Sequence, residues 1–273
     1  MTPDYRQTAL WLQDRLPAVP HVAVILGTGL NDLADSCEVL CQIPYSEIPG
    51  FVSSTAPSHR GNLILAKLEG RQVLFLQGRF HYYEGYPVSA VVFPVRTLAA
   101  LGVKNLVVTN AAGSLREDFV PGSIAMLSDH INFMGVNPLI GPNDDSLGER
   151  FPSLNEPYDP EYRKICAGLA KALNIQLHEG IYIAVAGPSL ETRAECAAFA
   201  DWGADLVGMS TVPEVIAARH AGLRTVAFSI VTNYSNLFHA QAHSQEEIRH
   251  NAAQASGKLR CLISGLVKIL TEP

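Results

Sequence analysis

Apolar residues along this chain fall into short dense runs, separated by longer stretches in which they return every three or four positions. A short β-rich apolar run predicts a buried strand, and a 3.6-residue period predicts a helix with one buried face. Strands are predicted at 22–26, 63–68, 73–77, 105–109, 123–128, 181–186, 206–208 and 225–231. Helices are predicted at 6–15, 90–101, 161–173, 193–202, 213–220 and 245–269. Gly102 and Gly222 stand just past two of these helices, where glycine commonly ends one. Strands alternating with helices predict an α/β protein with a largely parallel sheet flanked by helices. The stretch from Phe133 to Pro160 is rich in Pro, Gly, Asn and Asp. A loop of that length points to a functional or interface element rather than a linker. No repeat or composition shift divides the chain, so one domain over residues 1–273 is expected.

Composition narrows the class. A hydrophobic fraction of 48% and a charged fraction of 17% describe a globular protein with a sizeable core. Net charge is −6 and no stretch is strongly basic, which argues against a nucleic-acid partner. Any anion site must then be local. Five cysteines, an odd number without C-x-x-C spacing, suit reduced thiols better than a disulfide framework. The first twenty residues carry Asp4, Arg6, Asp14 and Arg15 and no signal-peptide core, and no apolar run approaches the ~18 residues of a membrane span. A cytoplasmic protein with no membrane partner is the expectation.

The chemistry collects where the predicted strands end. The run at 22–26 leads into Gly27-Thr28-Gly29, 73–77 into Gly78-Arg79-Phe80-His81, and 105–109 into Asn110-Ala111-Ala112-Gly113. Further on, 181–186 leads to Gly187-Pro188-Ser189-Leu190-Glu191, 206–208 to Met209-Ser210-Thr211, and 225–231 to Thr232-Asn233. Ligands of open α/β sheets bind beyond the carboxyl ends of strands, so these six points can converge. Gly27-Thr28-Gly29 starts like a dinucleotide fingerprint, but Asp32 stands where its third glycine belongs. It can still offer backbone N–H groups and a hydroxyl to one phosphate, or serve the fold alone. Arg79 and His81, two apart, would point the same way in extended chain and make an oxyanion grip, and Tyr83 would continue that face. His59 lies in a turn-rich segment where an exposed or functional histidine fits. Glu191 is either a helix-start acid or a carboxylate that accepts from base N–H groups. Asn233 either caps a turn or donates and accepts at once, as a 6-oxopurine edge requires. His239 and His243 have helical spacing, but no third ligand is suitably placed, so no metal is expected.

These stretches, with Gly208-Met209-Ser210-Thr211-Val212-Pro213-Glu214 and Asp129-His130-Ile131-Asn132, occur in an order that resembles the trimeric, low-molecular-mass purine nucleoside phosphorylases from Val22 to about Glu247. The resemblance implies a phosphorylase-type α/β fold, with a mixed, partly barrel-like central sheet flanked by helices, assembled as a homotrimer. It implies phosphate held by Thr28, His59, Arg79, His81, Ser210 and the backbone N–H of Ala111. It implies a base read by Glu191 and Asn233 between walls of Leu190, Val207 and Met209. Tyr83 and Met209 would line the ribose, with Phe151 supplied by the neighbouring subunit. The implied catalytic set is Asn233, Glu191 and His81. Thr28 replaces the family's serine, and Leu190 replaces its usual aromatic residue. A histidine that meets the ribose in relatives is matched here by either His243 or Gln245. The implied reaction is phosphorolysis of inosine, guanosine and xanthosine or their deoxy forms, in purine salvage, with phosphate as co-substrate and no cofactor. A methylthioadenosine phosphorylase of the same fold, a nucleoside hydrolase and a non-catalytic nucleoside-binding protein are the rival readings. Asn233, the phosphate-type residues and the intact motifs argue against them in turn.

Overall fold

The computed structural model describes residues 4–56, 59–239, 241 and 244–270. Nine strands form one sheet: β1 Val22–Leu26, β2 Glu38–Pro44, β3 Asn62–Leu68, β4 Arg71–Gln77, β5 Asn105–Ser114, β6 Ile124–Phe133, β7 Leu177–Val185, β8 Leu206–Gly208 and β9 Arg224–Tyr234. The helices are α1 Tyr5–Gln13, α2 Asp32–Asp35, α3 Val88–Val91, α4 Phe93–Leu101, α5 Pro160–Ala172, α6 Arg193–Asp201, α7 Val212–His220 and α8 Gln245–Leu270.

The strand order is β2-β3-β4-β1-β5-β8-β7-β6-β9, and β5 also pairs with β9. That extra pairing closes β5, β8, β7, β6 and β9 into a five-stranded ring, with the remaining strands as a wing. The sheet is mixed rather than largely parallel. β1 runs parallel to β4 and β5, but the β2–β3–β4 meander is antiparallel, and so are the β5–β8 and β6–β9 pairs. Burial explains why the pattern suggested otherwise. All five residues of β1 are buried, alternately in two clusters on opposite faces, so it has the unbroken apolar run of a strand covered on both sides. An antiparallel strand inside a ring is covered as well and carries the same signal.

Three helices are set by local chemistry that fits their ends. Asp159 caps α5 through the N–H groups of Glu161 and Tyr162, ahead of Pro160, whose missing N–H costs nothing in the first turn. Thr192 and Glu195 cap α6 reciprocally. α4 ends at Gly102, whose φ of 106° lies in the left-handed region that glycine tolerates. The single helix expected at 90–101 is broken at Val92, because Pro94 cannot donate back into the preceding turn. α8 buries Ala252, Ala255, Leu259, Leu262, Ile263, Leu266 and Val267, one stripe at helical spacing, against the β1 face of the sheet.

Candidate active site

Several chain segments surround a cavity of about 640 Å³. The first follows β1. A side chain at Gly27 would place its Cβ 2.5 Å from the Thr109 carbonyl oxygen and 2.8 Å from Asn110 Cα, so only glycine lets this loop lie on β5. The Gly27 N–H donates to Thr109 Oγ1 at 3.0 Å, which fixes the loop that carries Thr28 into the cavity.

Arg79 follows β4 and is nearly buried, its side chain 3% exposed. Its guanidinium is held on three sides. Nε donates to Glu214 Oε1 at 3.2 Å, Nη1 to Ser210 Oγ at 3.2 Å and Nη2 to the Thr109 carbonyl at 2.7 Å. Two of its five N–H donors remain, on a group that cannot rotate away, which is the requirement for gripping an oxyanion. Ser210 is presented by a γ-turn. The Val212 N–H donates to the Ser210 carbonyl at 2.7 Å, and Thr211 between them has φ 70° and ψ −54°, a strained conformation for a β-branched residue. Asn110 holds that turn through Thr211 Oγ1 at 2.8 Å, and Ser229 Oγ holds Asn110 at 2.7 Å.

The chain after β4 is not the extended continuation expected for Arg79, His81 and Tyr83. Residues Tyr82–Glu84 form a 3₁₀ turn, and the rings meet by stacking instead. His81 lies 4.6 Å from the Tyr83 ring and 5.0 Å from His59, both nearly parallel. Glu84 accepts from the His81 backbone at 2.8 Å and lies 3.0 Å from its Nδ1, so Nε2 is left for the cavity. Burial works against the Glu84 carboxylate, yet hydrogen bonds from His81 and Thr55 hold it down at about 2. His59 Nδ1 is shared among Ser54 Oγ and the Arg79 backbone, while its buried Nε2 has no protein partner. Burial, then the nearby His81 and Arg79, push the His59 imidazole down to about 3, so it faces the cavity as a neutral ring.

The same cavity is lined by Ala111, Ala112 and Gly113 of β5 and by Thr232 and Asn233 of β9. These residues were expected in loops after strands; they lie within strands that continue around the ring. Register slips between Ala112 and Gly113 against β9, and the disrupted ladder turns backbone toward the cavity. Asn233 is already oriented: its Nδ2 donates to the Tyr234 carbonyl at 2.9 Å and its Oδ1 accepts from Thr232 Oγ1 at 2.9 Å. One N–H and one lone pair remain. Glu191 is not the helix-start acid, because Glu195 performs that task on α6. Its carboxylate lines the cavity instead, and burial raises its pKa.

Thr28, His59, Arg79, His81, Tyr83, Ala111, Leu190, Glu191, Val207, Met209, Ser210 and Asn233 therefore all line this one cavity. Phe151 does not. It stands 85% exposed at the end of the long loop, which is itself pinned by Tyr5 and Arg6 through Asp144. His243 lies outside the described residues, and Gln245 is placed only as the first residue of α8. Sequence reasoning missed Glu214, the partner of Arg79, and Ile248 and Arg249, which reach the cavity from α8. Glu214 stands beside Pro213 at a helix start and reads there as an ordinary first-turn acid. Among the described residues, no helix is long and apolar enough to cross a membrane.

Residues 21–268 match the model of the phosphorylase superfamily. The chain is 44% identical to purine nucleoside phosphorylase 1 of Geobacillus stearothermophilus, covering 97% of both chains. It is 46% identical to the purine nucleoside phosphorylase of Bos taurus, covering 97% of this chain and 94% of that one. Among solved structures, the purine nucleoside phosphorylase of Schistosoma mansoni in complex with adenosine superposes with a TM-score of 0.93 at 38% identity, over 98% of each chain. The same enzyme in complex with inosine superposes at 0.90. Matched over nearly its whole length in sequence and fold, the chain belongs to the phosphorylase superfamily and, within it, to the purine nucleoside phosphorylases.

Proposed function

We propose that the chain phosphorolyses 6-oxopurine nucleosides and 2′-deoxynucleosides, with inosine, guanosine and xanthosine as the substrate class. One observation supports this most: the locked Arg79–Ser210 pair, the half-satisfied amide of Asn233 and Glu191 all line one cavity. Phosphate sits against Thr28, Arg79, Ser210, His59, His81 and the Ala111 N–H. The sugar lies along Tyr83 and Met209. The base lies between Leu190 and Val207. One phosphate oxygen bonds to C1′ as the C1′–N9 bond breaks, and the bonding pair leaves with the purine. The proton that the monohydrogen phosphate dianion gives up on becoming the ester is balanced by the one the purine takes at N7. The phosphate charge stabilises the cationic sugar on the way. Asn233 donates to O6 and accepts from the protonated N7, while ionised Glu191 accepts from N1–H. His81 orients the phosphate. No step calls for a metal or cofactor.

The active unit is a homotrimer in the cytoplasm. Five unpaired thiols suit that compartment, and the exposed Phe151 suits a ring that completes a neighbour's ribose site, together with Gln245 or His243.

One observation favours a second reading, in which adenosine is also a substrate: the Schistosoma mansoni relative was solved with adenosine bound. Adenine puts a donor where the Asn233 amide donates and has no N1–H for Glu191. Each mismatch costs about 1–3 kcal/mol. Catalytic efficiency should therefore favour inosine over adenosine by roughly two to four orders of magnitude. Asn233→Asp, which accepts from a 6-amino group, should narrow the gap. Equal efficiencies in the unmodified enzyme, or a ratio untouched by the substitution, would refute Asn233 as the reader of position 6.

A further inference from the structure

Carboxylates at and behind the cavity outnumber its buried cation. Arg79 faces Glu214 in a buried ion pair, both side chains under 5% exposed. His59 is a neutral ring. Glu191 adds a carboxylate, and Glu84 stands behind His81. A phosphate dianion entering this space would meet well-aimed donors but little net positive charge. The cation without a carboxylate partner among the described cavity-lining residues is Arg249.

The helix turn that carries Arg249 is fixed in place by its neighbours on α8. A Cβ on Gly29 would lie 2.6 Å from Ala252 Cβ, so this turn of α8 rests directly on the loop that carries Thr28. Asn251 Nδ2 donates to the Thr232 carbonyl at 2.8 Å, tying the same turn to the residue before Asn233. Arg249 and Ala252 are three apart and share a helix face. This turn of α8 thus lies against both the Thr28 loop and the end of β9, and Arg249 on it lines the cavity.

We propose that Arg249 is the phosphate-dianion receptor of this site, drawing the anion in and holding it opposite the Arg79–Ser210 grip. This rests on the phosphorolysis reading above. The dianion has two sources, free inorganic phosphate and a phosphate ester on the sugar 5′-oxygen. A long, exposed guanidinium reaches either, and its uncompensated charge makes capture sensitive to salt.

The test is steady-state kinetics of the full-length enzyme on inosine, with phosphate varied, for the unmodified enzyme, Arg249→Gln, Arg249→Lys and Arg260→Gln. Gln keeps the helix propensity of an exposed position, so folding is preserved. Arg260 is exposed on the same helix but outside the cavity and controls for net charge. Arg249→Gln should raise the KM for phosphate roughly tenfold or more, the scale of one lost charge-assisted contact. Its KM for inosine should move little, its salt dependence should flatten, and Arg249→Lys should recover most of the loss. Inosine 5′-monophosphate as an inhibitor separates the sources: weakened inhibition with an unchanged KM for phosphate assigns Arg249 to the ester. No change in either measurement, or the same change in Arg260→Gln, overturns the proposal. Absence of phosphate-dependent cleavage in the unmodified enzyme would instead overturn the reading on which it rests.

Discussion

At the scale of single residues, the site depends on side chains whose freedom has already been removed. Arg79 is the clearest case, and its partner decides how it must be tested. Removing the guanidinium outright would leave Glu214 buried and unpaired, a destabilisation of about 3–5 kcal/mol that would mask any effect on phosphate. Arg79→Lys keeps the charge and deletes the fork. It should raise the KM for phosphate and lower kcat, together costing roughly 2–4 kcal/mol of transition-state stabilisation. Initial rates with phosphate varied check this, and unchanged values of both would contradict the assignment. Glu191 gives a pH dependence. Burial raises its pKa, so its protonated form persists to higher pH than an ordinary glutamate. Above that pKa the carboxylate accepts from N1–H of a 6-oxopurine; below it, the carboxyl donates instead, which suits unprotonated N1 of adenine. Efficiency on inosine should therefore fall on the acid side above the usual glutamate range, while the preference over adenosine shrinks. Paired pH profiles for the two nucleosides test this, and parallel profiles would count against it. Arg79, Glu191 and Asn233 could be singled out because they follow predicted strands in the sequence, and the fold brings all three to one cavity. Glu214 could not, because only the fold brings it across 135 residues to Arg79.

Elements differ in how far their own residues determine them. β1, fully buried, and the capped helices α5 and α6 are written in local patterns. β2 was missed because it is an edge strand whose residues are exposed or half-buried except Ile43, so no apolar run or clean alternation marks it; pairing with β3 makes it a strand. β5 and β9 were expected to stop at Thr109 and Val231, yet they continue through small and polar residues to Ser114 and Tyr234. Those residues extend only because ring closure supplies partners. The continuation matters for function, since it carries Ala111 and Asn233 into the cavity on strands rather than loops. The contact between the β1 loop and β5 is a tight backbone-to-backbone link in this arrangement. Gly27→Ala must push the loop off Thr109 and Asn110, an overpacking that costs about 1–3 kcal/mol. Thermal unfolding should register that loss, and the KM for phosphate should rise more than the KM for nucleoside. A variant with unaltered melting and phosphate affinity would mean that the loop does not position the phosphate.

At the scale of the whole molecule, the exposed Phe151 raises the question of where the site ends. An 85% exposed phenylalanine on a loop tied down at Asp144 is costly for a monomer and reasonable for a chain that completes its neighbour. Phe151→Ala should raise the KM for nucleoside roughly tenfold while leaving the protomer folded. If the proposed trimer shares its sites, assemblies mixing Phe151→Ala and Glu191→Gln chains should be more active than either parent, because some sites would combine an intact Glu191 with a neighbour's Phe151. A fully active monomer by light scattering would contradict a shared site. Beneath these proposals lies a single claim, that the cavity aligns phosphate with the sugar of a 6-oxopurine nucleoside. It is tested most directly by following hypoxanthine release from inosine as phosphate is titrated to zero, with the sugar product read by phosphorus NMR. The account expects release to vanish without phosphate and to yield one ribose 1-phosphate per hypoxanthine. Phosphate-independent release with free ribose as the product would contradict it.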